Sequence, residues 1–113
     1  MKHYDWQSVP EEAMPADGSV LRRFVGGERM TVGRVAFARG SSVPAHRHEN
    51  EQFSLVLSGA LEFIVEGRPV VVRPGEILHL PANEQHGARA LEDTVVLDVF
   101  SPPRQDWGAP PAE

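Results

Sequence analysis

The chain has 113 residues, enough for one core and too few for two domains. Its 16 Asp and Glu against 11 Lys and Arg leave a formal net charge of −5, which disfavours nucleic acid as a partner. Cysteine is absent, so disulfides, thiolate metal sites and a cysteine nucleophile are excluded, and imidazole, carboxylate, amide and hydroxyl groups must carry the chemistry.

The opening MKHYDWQSVPEE lacks the apolar centre of a signal peptide. No run approaches the ~20 apolar residues of a membrane span, so a cytoplasmic protein with no membrane partner is expected. Residues 1–19, with Pro10, Pro15 and Gly18, read as an extended arm or a short helical turn around Glu11 to Met14. From residue 20 onward the chain becomes a series of short β-rich runs: VLRRFV, RMTVGRVAFA, FSLVLS, ALEFIVE, PVVV, EILHL and TVVLDVF. Gly and Pro punctuate them, at Gly26-Gly27, Gly40, Gly59, Gly67, Pro74-Gly75, Pro81 and Pro102-Pro103. Turn signals at such short intervals predict an all-β sandwich or barrel over residues 20–107, followed by a frayed tail at 108–113. VEGRP around Gly67 predicts a hairpin turn.

Within this series PAHRHENEQFSLVLSG, residues 44–59, concentrates coordinating side chains ahead of an apolar run. His46 and His48 are two apart, so a strand there would send both from one face and Arg47 from the other. Taken alone, an HxH pair is weak evidence for a metal. In the last run, Val95, Leu97 and Val99 alternate with Thr94, Val96, Asp98 and Phe100, so both faces are apolar except at Asp98. A carboxylate in such a strand is costly unless paired, and its desolvation pushes the pKa upward; it either does acid/base work or holds an Arg or a backbone amide. His79 alternates with Leu78 and Leu80 and reads as a hydrogen-bonded or surface residue, and His3 lies in the arm. If Gln52, Ser54 and Val56 face inward, Phe53, Leu55 and Leu57 face outward and need cover. A homodimer is the simplest cover; the alternative is the arm, with Trp6 and Met14, folded over that face.

The wider spacing runs Gly40, five residues, His46-x-His48, three residues, Gln52, six residues, Gly59, then Gly75, five residues, Pro81 and His86. This pattern resembles the two motifs of the cupin superfamily, single-domain jelly-roll (double-stranded β-helix) barrels that bind one divalent metal through two His and a Glu of the first motif and a His of the second. Gln52 stands in the Glu slot, and Asn83 and Ala90 stand in the Gly and Asn slots of the second motif. Asn is tolerable where Gly is usual because it enters the left-handed region readily. The resemblance implies one divalent transition metal per subunit (Zn, Ni, Mn, Fe or Co) on His46, His48, Gln52 and His86, with neighbouring Glu51 the alternative to Gln52. With a neutral amide in place of a carboxylate the metal keeps its full charge, which favours Lewis-acid chemistry over dioxygen activation.

Gln52, NEQHGA at 83–88 and LEDTVVLDVFSPPRQDW at 91–107 are similar to the KdgF-type cupins of pectin and alginate breakdown, which convert 4,5-unsaturated monouronates into linear keto sugars. The interval from the second His to the Gln is one residue shorter here. That resemblance implies catalytic roles for Asp98, Phe100 and Arg104, and a carboxylated sugar as the small-molecule substrate. Another metal-dependent cupin isomerase or dioxygenase, or a non-catalytic binding cupin, are the alternatives.

Overall fold

In the computed structural model, which describes residues 1–14 and 18–104, ten strands follow one another through short connections. They are β1 (Glu12–Ala13), β2 (Val20–Gly26), β3 (Thr31–Phe37), β4 (Ser42–His46), β5 (Glu51–Ser58), β6 (Leu61–Val65), β7 (Arg68–Val72), β8 (Ile77–Leu80), β9 (His86–Ala90) and β10 (Thr94–Ser101). They pair antiparallel into a six-stranded sheet, order β1-β2-β3-β10-β5-β8, and a four-stranded sheet, order β4-β9-β6-β7. The architecture is all-β, as the spacing of turn signals predicts. The expected end of the barrel at Trp107 and the tail at 108–113 lie outside the described residues.

Period-2 alternation decides which side chains face the interior. On β2, β3 and β10 buried and half-buried residues alternate without a break, so Val20, Arg22 and Phe24 face inward with Val35, Phe37, Val96, Asp98 and Phe100. β5 does the same with Gln52, Ser54 and Val56. The apolar core packs between the sheets beside these polar groups, and in it Phe37, Leu61, Phe63 and Val96 are nearly inaccessible. Truncating one of those aromatic side chains to Ala would cost about 3–5 kcal/mol.

The β6–β7 hairpin turns at Glu66-Gly67, both with positive φ (47° and 79°), the pairing that a two-residue turn of the right twist demands. The arm differs from expectation. Its helical turn is at Trp6–Ser8, where the Asp5 side chain accepts from Gln7 N at 3.1 Å, while Glu12–Ala13 adds an edge strand against Arg22 and Leu21. Trp6 lines a surface cleft with Val25 and Val32, and Met14 turns inward onto the core. Among the described residues, the outer face of β5 and β8 keeps Phe53, Leu57 and Ile77 at 42%, 52% and 62% exposure. No helix among the described residues is long and apolar enough to cross a membrane.

Candidate metal centre

Three imidazoles meet where β4 and β9 end. His46 closes β4 and is the cross-strand partner of His86, the first residue of β9. His48 is not on the strand as the HxH pattern suggested, because β4 stops at His46. It sits in the link to β5, where its carbonyl accepts from Asn83 N at 2.8 Å. Asn83 adopts φ 65°, the left-handed conformation expected of the residue in that slot. The ring centroids are 4.5 Å (His46–His86), 5.0 Å (His48–His86) and 5.5 Å (His46–His48) apart, and one nitrogen from each lies within 4.8 Å of the others.

Each ring is oriented the same way. His46 Nδ1 contacts Pro44 O, His48 Nδ1 contacts Asn50 O and His86 Nδ1 contacts Glu84 O, all at 2.9 Å. A carbonyl can only accept, so each Nδ1 carries the proton and each Nε2 presents a lone pair, the tautomer that a metal-ligating histidine needs. Gln52 adds a second sign. Its Oε1 stands 3.1 Å from His48 Nε2, while its Nε2 donates to Ser54 Oγ at 2.9 Å and to Asp98 Oδ1 at 3.5 Å. Two lone pairs facing at that distance repel unless a cation lies between them. Glu51 is on the other face, with Oε2 2.6 Å from His79 Nε2, and His79 stacks on Phe53. Geometry therefore turns Gln52, and not Glu51, toward the imidazoles.

One rank deeper, Asp98 is buried, and Ser54 Oγ donates to its Oδ1 at 2.6 Å. Burial pushes its carboxyl up to about 6, against the opposing hydrogen bonds of Ser54 and Gln52 and the charge of Arg104. His86 is pulled down to about 4, chiefly by burial and then by the neighbouring imidazoles and Arg104, with the Glu84 carbonyl opposing. His48 is lowered as well, first by burial and then by Arg104. Both rings therefore stay neutral, and able to ligate, below the ordinary imidazole range. The Arg104 guanidinium lies 4.8 Å from the Phe100 ring centroid, and its backbone N–H donates to Thr31 Oγ1 at 3.0 Å. His46, Gln52, His86, Asp98, Phe100 and Arg104 all line one cavity of about 400 Å³.

The cavity holds a charge that sequence reasoning passed over. Arg22 lies in its wall, with Nε 2.8 Å from Glu12 Oε1 on β1. Alternation within VLRRF already puts Arg22 on the inward side with Val20 and Phe24, and Arg23 outside, so the signal was present. Asn50, in the link, is also buried and was hidden among ordinary loop residues.

Two antiparallel sheets enclosing inward-facing histidines at one end define the cupin class, and a family model described as "Cupin domain" matches residues 33–100, so the chain belongs to the cupin family. Within that family it is similar to KdgF-type members. It is 35% identical over 75 residues to the pectin degradation protein KdgF of Dickeya dadantii, covering 65% of this chain and 68% of that one. The solved structure of KdgF from Halomonas sp. superposes with a TM-score of 0.85 at 29% identity, over 95% of this chain and all (100%) of that one. The polyketide cyclase RemF from Streptomyces resistomycificus superposes at 0.76 with 27% identity, over 90% and 79% of the two chains.

Proposed function

We propose that the protein linearises 4,5-unsaturated monouronates to keto sugars, with His46, His48, His86 and Gln52 holding one divalent transition metal and Asp98 moving the proton. The observation that carries this reading is the Gln52 amide, which faces the imidazoles with its oxygen and Asp98 with its nitrogen, tying a prospective metal to a buried carboxylate. Likeness to two proteins named KdgF supports it. When bound, a divalent metal there supplies Lewis acidity toward hydroxyl and carbonyl oxygens of the sugar.

The chain's own residues account for the proton traffic. Ionised Asp98 accepts the proton of the anomeric hydroxyl; the ring carbon–oxygen bond breaks, leaving an aldehyde at the anomeric carbon and an enolate across the former double bond. Asp98 returns the proton to the enolate carbon, and the keto group forms. No atom is gained or lost, so no co-reactant is required. Arg104 clamps the uronate carboxylate through a bidentate charged contact, and Phe100 forms the wall on which that guanidinium rests. A carboxyl titrating near 6 is ionised at neutral pH yet basic enough to take the first proton.

A second reading, a different metal-dependent cupin isomerase or cyclase, is favoured by the apolar part of the cavity wall, where Val35, Phe37, Leu61 and Phe63 would suit a hydrocarbon better than a sugar. The experiment is elemental analysis of the purified protein followed by an absorbance assay on an unsaturated monouronate. Loss of the ultraviolet band with metal bound supports linearisation. Oxygen consumption with bound iron would instead indicate a dioxygenase, and tight sugar binding without turnover a binding protein. The exposed Phe53, Leu57 and Ile77 face, which the arm leaves open, is proposed as the contact of a homodimer.

A further inference from the structure

Asn50 belongs neither to a strand nor to the set of groups that face the imidazoles, yet it is 5% exposed. Its carbonyl receives the His48 Nδ1 proton at 2.9 Å. Its side-chain Nδ2 donates to the carbonyl of Pro102 and, at 3.2 Å, to that of Pro103, 53 positions away in sequence. Those two prolines have no N–H to give to the ladder, and their carbonyls accept from the Asn50 side chain instead. The next residue is Arg104, whose backbone N–H is tied to Thr31 Oγ1 and whose side chain enters the cavity.

We infer that Asn50 is a positioning residue that sets the place of Arg104 relative to His48, by pinning the Pro102-Pro103 segment to the link that carries that imidazole. The choice of Asn follows from the two carbonyls: one –NH₂ group offers a hydrogen to each. Asp is the same shape and has no hydrogen to offer when ionised. Ser offers one, on a shorter stem. The β5–β10 ladder ends at the Glu51–Ser101 pair, so the amide carries the tie between link and segment one residue beyond the sheet, toward Arg104. The catalytic consequence rests on the role proposed above for Arg104; the mechanical one does not.

The test uses the metal-loaded full chain and the variants Asn50→Ala and Asn50→Asp. Trypsin cleavage after Arg104, followed by intact mass, reads whether the segment is pinned without any reference to activity. Both variants should be cut there about tenfold faster than wild type while melting temperature and metal content change little. Equal rates, or fast cleavage of the wild type itself, would overturn the inference. On an unsaturated monouronate, Asn50→Ala should raise KM about tenfold with kcat within about threefold, and should do almost nothing further in an Arg104→Met background. Additive losses would show that Asn50 acts by another route. A wild type with no turnover would defeat the uronate reading alone, and the protease result would still decide the role of Asn50.

Discussion

The Gln52 amide distinguishes its two ends in a way that a carboxylate could not. Glu at this position would place an anion where Nε2 now donates to Ser54 and Asp98, so two carboxylates would face each other across a buried hydrogen-bonding distance. Gln52→Glu should therefore retain metal but drive the Asp98 pKa further up, and its rate at neutral pH should fall at least about tenfold. Ser54→Ala tests the same network more gently. The Ser54 hydroxyl stabilises the ionised form of Asp98, so its loss raises that pKa. Because the first step needs ionised Asp98, the wild-type rate should climb as pH rises through about 6, and the variant's limb should lie about one pH unit higher. An unchanged limb in both variants would mean that Asp98 is not the titrating group. Gln52 and Asp98 were legible because a period of two assigns faces once a strand is located. The hydrogen bond between them was not, since it joins strands that only the β5–β10 pairing brings together.

At the scale of elements, β4 and β9 deliver His46 and His86 as cross-strand neighbours, and Gly87 lets them approach. A Cβ on Gly87 would stand 2.9 Å from Val43 O and 3.0 Å from Ala45 N, so any side chain pushes β4 away. Gly87→Ala should weaken metal binding about tenfold or more by displacing His46, measured by competition with a chromophoric chelator. Strand patterns and turns in this region were readable from Val, Ile, Leu, Gly and Pro. The place of His48 was not: the HxH spacing implied a shared strand face, but the ring reaches the site from a link held by Asn83. Asn50 escaped for the same reason, because loop-to-loop hydrogen bonds have no sequence period. On the outer face, Leu57→Glu combined with Ile77→Lys should convert a dimer to monomers in sedimentation without loss of folding. Dimers that persist unchanged would remove that face as the contact.

Across the whole molecule, the proposed metal would stabilise the polar end of the barrel. Three imidazoles, two of them held below their ordinary pKa, turn lone pairs toward one point, and the Gln52 amide oxygen faces one of them, a repulsion that a bound cation would relieve. Metal removal with a chelator should lower the melting temperature by about 10 °C or more, since a ligand at 100 times its Kd contributes about 2.7 kcal/mol. His46→Ala should abolish that response. The cupin architecture was legible as a whole from turn spacing and motif spacing. Chemistry within the barrel was legible in part, because residue types mark the metal end and alternation turns Arg22 inward, while the apolar wall of the cavity emerges only from packing.

In the proposed reaction, a metal held by His46, His48, His86 and Gln52 works with Asp98 on an unsaturated uronate. The most direct measurement pairs metal content per chain with the loss of ultraviolet absorbance of a 4,5-unsaturated monouronate, for wild type and for Asp98→Ala. Both proteins should hold equal metal, with rapid loss of absorbance for wild type and none above background for the variant. Normal turnover by Asp98→Ala, or no turnover by fully metal-loaded wild type, would contradict the proposed reaction.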